Sequence, residues 1–72
     1  MEIKLNGNII DVKENISVGE LVSQTEFAGK PLVVQVNAKI IEFNNYDRII
    51  NQGDNVKIFN FVGGGWFLAN SI

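Results

Sequence analysis

The sequence predicts an α+β domain in which one main helix covers a mixed sheet of four to five strands. Three observations support this prediction. A strong hairpin signal opens the chain, a helix start signal follows it, and the later apolar segments are short, β-branched and separated by turn residues. A chain of 72 residues has room for one such domain with one thin core.

Residues 1–12 are predicted to form a β-hairpin. Asn6-Gly7 is a strong two-residue turn signal, because both central positions of such a turn need positive φ. This turn opposes Leu5 to Asn8, and directly opposed residues share a face of the sheet. The register therefore separates a mostly apolar face from a mostly polar one. The apolar face carries Met1, Ile3, Leu5, Ile10 and Val12, and the other carries Glu2, Lys4, Ile9 and Asp11.

A helix is predicted to follow the hairpin. Ser17-Val18-Gly19-Glu20 matches the capping box, in which the Ser17 hydroxyl and the Glu20 carboxylate satisfy exposed backbone N–H groups. Ile16 and Leu21 occupy the two positions of a hydrophobic staple. Gly29 is a candidate stop signal, which predicts a helix of two or three turns.

The rest of the chain is predicted to add strands to the sheet. Pro31 can open a strand, and the final strand alternates in its polarity. Hairpin, crossing helix and further strands together describe the β-grasp, or ubiquitin-like, arrangement. The predicted elements are a buried strand over 32–36, a short strand at Ile40-Ile41, irregular or 3₁₀ structure anchored by Phe43 and Tyr46, and a strand over 56–61.

Composition disfavours several classes of function. The chain has no Cys and no His, its carboxylates do not cluster, and its six basic residues are scattered at a net charge of −2. We therefore expect no bound metal, no bound cofactor and no nucleic-acid partner. A domain this small is also a poor host for a substrate-enclosing pocket, so we do not expect an enzyme. With no apolar segment long enough for a membrane span and no apolar signal core, the expected location is the cytoplasm.

The two faces of the final strand differ in their predicted environment. Val56 and Ile58 share one face, which we expect to meet the helix. The opposite face then points outward, and grouped aromatic side chains there favour a partner-docking surface. The alternative is a two-sided core, with the last residues folded over the second face. The outward residues are predicted to be Ile9, Val33, Phe59 and Phe61, with Val62 next along the docking surface.

Gly63-Gly64-Gly65 is predicted to be a tail beyond the folded domain. Three glycines carry no side chains, so an extended run could thread a narrow tunnel in a partner. A flexible linker and a phosphate-cradling loop are alternatives, although no helix start or P-loop Lys follows the run. The expected organisation is a β-grasp domain over 1–62, a glycine tail over 63–65 and a C-terminal extension over 66–72.

At this point the chain resembles the ThiS family of sulfur carrier proteins of thiamin biosynthesis, within the ubiquitin-like and MoaD-like β-grasp superfamily. The resemblance runs from Met1 to Gly65, and the order and spacing of its motifs carry it. These are the Met-x-Ile-x-Leu-Asn-Gly start, Ser17-Val18-Gly19-Glu20-Leu21, Val34-Gln35-Val36-Asn37 with Ile40-Ile41, Gly53-Asp54-Asn55-Val56, and Phe61-Val62-Gly63-Gly64-Gly65.

The resemblance implies a carrier that is charged by other proteins. A ThiF-like adenylating enzyme would use ATP to activate the carboxylate of Gly65, and persulfide sulfur would convert it to a thiocarboxylate. Thiazole synthase would then take the sulfur. Gly64 would complete the terminal pair, and Phe59, Phe61 and Val62 would belong to the surface that docks both enzymes.

The chain departs from the family pattern after Gly65, because residues 66–72 follow it. An internal glycine has no free carboxylate, so a processing protease would have to remove these residues before charging. The apolar extension could also lie over Phe59 and Phe61 until cleavage. Three alternatives stay open: a carrier for molybdopterin synthesis, a carrier for cysteine or methionine synthesis, and a β-grasp interaction module that is not conjugated.

Overall fold

The fold is a five-stranded mixed sheet with one α-helix packed on one face, in a computed structural model that describes residues 1–29 and 31–60. The strand order is β2-β1-β5-β3-β4; β1 and β5 are parallel, and the other neighbours are antiparallel. In chain order the elements are β1 (Glu2–Leu5), β2 (Asn8–Asp11), α1 (Val18–Ser23), β3 (Leu32–Val36), β4 (Lys39–Ile41), a 3₁₀ helix (Phe43–Asn45) and β5 (Asn55–Asn60). This confirms the predicted class and the sequence of hairpin, helix and further strands.

The first hairpin forms in the predicted register. Asn6 and Gly7 have φ values of 49° and 87°, as a two-residue turn of this type requires. Leu5 pairs with Asn8 and Ile3 pairs with Ile10. Ile3 is buried under the helix side of the sheet, whereas Ile9 on the opposite face is exposed, so the predicted sorting of faces is confirmed.

Helix α1 begins as predicted. The Ser17 hydroxyl accepts a hydrogen bond from the Glu20 backbone N–H at 3.1 Å, and the Glu20 carboxylate accepts one from the Ser17 N–H at 3.1 Å. The first helical N–H groups, which cannot bond within the helix, donate to the chain after β4. Val18 donates to the Arg48 carbonyl at 2.9 Å and Gly19 to the Tyr46 carbonyl at 2.8 Å.

The helix ends earlier than the sequence predicted. It stops at Ser23, less than two turns after its start, and not at Gly29. The Thr25 hydroxyl donates to the Val22 carbonyl at 2.7 Å and accepts from the Phe27 N–H at 3.2 Å. Such side chain–backbone bonds compete with the helical pattern and favour a turn. Gly29, at φ 78°, lies in the turn that follows and does not cap the helix.

The core lies between α1 and one face of the sheet. Strands β3 and β5 supply its centre, and Ile16 and Ile50 close its end, where the Ile50 N–H donates to the Ile16 carbonyl at 2.9 Å. Burying each of these side chains stabilises the fold by about 1.5–3 kcal/mol. The buried apolar residues of the described chain are Ile3, Ile16, Val18, Leu21, Val22, Val34, Val36, Ile41, Ile50, Val56 and Ile58.

Asp54 is a buried carboxylate that ties its own turn, over residues 51–54, to the turn between β3 and β4. It is 8% exposed, and its oxygens accept from the Asn37 side-chain amide at 2.9 Å and the Asn51 N–H at 2.8 Å. Asn37 in turn accepts from the Asn55 N–H at 2.9 Å. Because a buried charge is tolerated only when hydrogen-bonded, this arrangement fixes the entry of β5 beside the turn between β3 and β4.

Candidate functional site

The face of the sheet that points away from α1 carries an exposed aromatic side chain near the end of β5. Phe59 is 46% exposed and pairs with half-buried Val33 on the neighbouring strand. Lys57 and Gln35 form the next pair on this outer face, with Ile40 beyond them. Phe59 therefore lies where the alternation of β5 placed it, and its part in docking stays a prediction.

Ile9 shares the outer face but lies away from Phe59. Ile9 pairs with Lys4, and Lys4 pairs with Asn55, four residues before Phe59. With strands about 4.8 Å apart and about 3.3 Å per residue, the two side chains start about 16 Å from each other. The local apolar surface around Phe59 is therefore formed with Val33 and not with Ile9.

The end of β5 is held by an unpredicted clamp. Strand β1 pairs with β5 only at Asn55 and Val56, since the chain turns away after Leu5. Beyond that point the Asn6 side chain takes the place of a strand. Its Oδ1 accepts from the Ile58 N–H at 2.8 Å, and its Nδ2 donates to the Ile58 carbonyl at 3.3 Å. Asn6 thus fixes the part of β5 that leads into the predicted tail.

The predicted tail lies outside the described residues. Phe61, Val62, Gly63, Gly64 and Gly65 follow Asn60 directly, and the extension over 66–72 follows them. Five extended residues span up to about 17 Å. The sulfur-bearing carboxyl predicted at Gly65 is therefore within that length of chain from Asn60, and its role stays a prediction.

A groove that the sequence did not predict lies between α1 and β4. It has a volume of about 840 Å³, is open to solvent, and is lined mainly by apolar side chains. Phe43, predicted to be an anchor, is instead 84% exposed at this groove, edge-on to Tyr46 with ring centroids 5.3 Å apart. The sequence-based expectation concerned a pocket that encloses a substrate, whereas this cleft is open to solvent.

Charged groups do not converge on a catalytic arrangement in the described part of the chain. No group of three or more carboxylates there could hold a metal ion. The ion pair with Lys13, helped by the Ser17 N–H, lowers the pKa of Glu20 at the helix start. Partial burial raises the pKa of the Tyr46 hydroxyl. Both shifts have local structural causes. No helix of the described chain is long and apolar enough to cross a membrane.

Taken together, these features define a β-grasp domain whose central last strand leads into a glycine run. The sequence model of the ThiS family matches residues 2–65, and the chain therefore belongs to the ThiS family. The crystal structure of a thiamine biosynthesis protein (ThiS) from Geobacter metallireducens aligns with a TM-score of 0.77 at 30% sequence identity. This alignment covers 90% of this chain and 100% of that one. No curated protein matches the chain.

These comparisons confirm the resemblance drawn from the sequence motifs and the β-grasp prediction. The family match ends at Gly65, so residues 66–72 lie beyond it. Sequence reasoning missed Asn6 as a clamp, because its partner Ile58 is 52 residues away. The groove was missed because its walls come from α1 and from the chain after β4, which only the fold brings together.

Proposed function

We propose that this protein is a sulfur carrier of thiamin biosynthesis, charged at Gly65 and not itself an enzyme. The observation that carries the proposal is the match to the ThiS family over residues 2–65, which ends at the last glycine of the run. The fold supports it, because β5 lies at the centre of the sheet and its end is fixed by Asn6, so the tail leaves from a firmly held strand.

The chemistry of the proposal explains why a partner must supply energy. A carboxylate is anionic and resonance-stabilised, and resists attack by a sulfur nucleophile. A ThiF-like adenylating enzyme would join the Gly65 carboxylate to AMP from ATP, releasing pyrophosphate. Persulfide sulfur would then displace AMP, and a thiol would reduce the resulting acyl disulfide, leaving the thiocarboxylate. ATP is used by the partner, and the carrier binds no cofactor of its own.

Thiazole synthase is the proposed acceptor of the sulfur. Both partners would dock on the surface around Phe59, Phe61 and Val62, while Gly63 and Gly64 let the tail enter an active site too narrow for side chains. The exposure of Phe59 next to Val33 supports the first of these docking residues. Aromatic side chains of this kind often contribute a large share of binding energy at interfaces.

The Gly65–Trp66 peptide bond must be broken before charging. While that bond is intact, the Gly65 carbonyl is an amide and cannot form an adenylate. We therefore include a processing protease among the proposed partners. The carrier would become active once the protease has removed residues 66–72.

The proposal is tested with protein truncated after Gly65. This protein is incubated with ATP, the adenylating enzyme and a persulfide donor, and its intact mass is measured. We expect the gain in mass that corresponds to exchange of one oxygen for one sulfur. Release of sulfide should reverse this gain, and alkylation of the sulfur should prevent that release. The untruncated chain is the matched control and should keep its mass. Absence of both adenylate and thiocarboxylate on the truncated protein would overturn the proposal.

A further inference from the structure

We propose that the groove between α1 and β4 is the binding site for this chain's own C-terminal segment, Trp66–Ile72. The occupant is inferred from the surface chemistry of the groove, from the reach of the chain after β5, and from the composition of the segment. The inference deepens the proposed function, because docking would control access to the Gly65–Trp66 bond.

The groove offers an exposed apolar surface that the described residues leave uncovered. Phe43 is 84% exposed and Ile40 is 64% exposed, which is unusual for side chains of this size that line one concave site. Leu32 and Val22 also line it. Glu42 is the one charged residue among the described residues that line it. Such a surface is suited to an uncharged, apolar chain segment.

The segment begins close enough to reach this groove. Strand β5 ends at Asn60, which pairs with Leu32, and Leu32 lines the groove. Strand β4, which forms the far side, is two strands from β5, or about 10 Å across the sheet. Residues 61–65 span up to about 17 Å when extended, so Trp66 can reach the β4 side without any change in the sheet.

The composition of the segment matches the groove. Trp66-Phe67-Leu68-Ala69-Asn70-Ser71-Ile72 has four large apolar side chains and no charged one. An indole can pack against the edge-to-face pair of Phe43 and Tyr46, an arrangement that aromatic groups favour. The outer face around Phe59 is within similar reach, but Lys57 and Gln35 adjoin it there, and a flat face encloses less of a ligand than a groove.

Docking would make the release of the segment a step that precedes its removal. A segment held in the groove keeps the residues beside the Gly65–Trp66 bond against the domain, so a protease acts on the undocked fraction. Docking in the groove would thereby set the rate at which proteolysis produces a free carboxylate on Gly65. The groove meets the outer face of the sheet at Val33 and Ile40, although Phe59 is not among its described lining residues.

Trp66 is the only tryptophan in the chain, so its fluorescence tests the proposal in the intact protein. We expect a blue-shifted emission and an acrylamide quenching constant at least about twofold below that of the free peptide of residues 66–72, as for a segment docked more than half of the time. Phe43→Ser should shift the emission to the red and bring quenching to the level of the peptide. Ile9→Ser, which removes an exposed apolar side chain on β2 at the other edge of the sheet, should change neither.

Three results would overturn the proposal. Trp66 could be quenched as readily as the free peptide. Trp66 could be protected from acrylamide quenching in both wild type and Phe43→Ser. If Phe59→Ser then made Trp66 accessible to quenching, the segment would lie on the outer face. Protection that depends on protein concentration would assign the groove to the segment of a second copy. Failure of thiocarboxylation would leave these results unchanged, because that assay uses protein without the segment.

Discussion

Removal of the Asn6 side chain is expected to loosen the end of β5. Strand β1 stops pairing with β5 at Val56. Among the described residues, the Asn6 side chain then bonds the same edge of β5, through its two hydrogen bonds to Ile58. Asn6→Gly removes both bonds and keeps the positive φ that the turn requires, since Gly-Gly also forms turns of this type. The substitution therefore isolates the side-chain clamp from the backbone geometry of the turn.

The magnitude follows from the two bonds. Each contributes about 0.5–1.5 kcal/mol net, so Asn6→Gly should lower the free energy of unfolding by about 2 kcal/mol. Asn6→Ala loses the same bonds at a positive φ that Ala tolerates less well than Asn, so its cost should be at least as large as that of Asn6→Gly. Asn6→Asp keeps an acceptor for the Ile58 N–H and loses only the donor, so its cost should be about 1 kcal/mol.

Urea unfolding and amide hydrogen exchange measure these effects. Asn6→Gly should lower the melting temperature by about 8–16 °C, as expected for about 2 kcal/mol in a domain of this size. Exchange at the Ile58 amide should accelerate more than exchange at Val34. Asn8→Ala is the control, because exposed Asn8 makes no side-chain hydrogen bond within the described residues. An equal urea midpoint for Asn6→Gly and Asn8→Ala would refute the clamp.

Three further outcomes are expected. Asp54→Ala removes the acceptor of two part-buried hydrogen bonds, from Asn37 and Asn51, and should lower the free energy of unfolding by about 1–3 kcal/mol, measured by urea titration. Glu20→Gln should destabilise the protein only at higher pH. The folded pKa of Glu20 lies below its ordinary 4.5, so its contribution is full above about pH 4.5 and is lost as pH falls through the lowered value. Phe59→Ser should lower kcat/KM for adenylation of truncated protein about tenfold or more, as for an interface hot spot, and leave the melting temperature nearly unchanged.

Each of these predictions has an outcome that contradicts it. For Asp54, it is a urea midpoint equal to that of wild type. For Glu20, it is a wild-type advantage over Glu20→Gln that persists at pH values well below the lowered pKa. For Phe59, the control is Ile9→Ser, a more exposed apolar position on the same face, away from the end of β5. Equal adenylation of Phe59→Ser and Ile9→Ser would remove Phe59 from the docking surface.

The parts of the fold that local rules determine could be predicted from the sequence. The Asn6-Gly7 turn fixes its register by backbone φ alone, and the capping box at Ser17 acts within four residues. The helix end was missed because the Thr25 side chain bonds the Val22 carbonyl and the Phe27 N–H. These bonds compete with the helical hydrogen bonds, and helix propensity does not account for them. Gly29 has the positive φ typical of a stop signal, but the helix has already ended by then.

Features that depend on distant residues could not be predicted in the same way. Phe43 was expected to be buried because large aromatics usually are, yet the 3₁₀ turn points it into solvent beside Tyr46. The roles of Asn6 and Asp54 depend on partners in other strands and turns. The position of Phe59 was predictable because alternation along a single strand decides it.

The position of β5 has a consequence for how the protein is made. Within the described residues, the sheet order β2-β1-β5-β3-β4 joins the two hairpins only through β5, the last of these strands along the chain. Each hairpin can form early on a growing chain, but neither can complete the sheet until β5 inserts between them, a pairing that depends on contacts distant in sequence. A nascent or truncated chain without β5 therefore has two unjoined halves. A partner that needs both the completed sheet and the segment after β5 can therefore bind only after β5 has inserted.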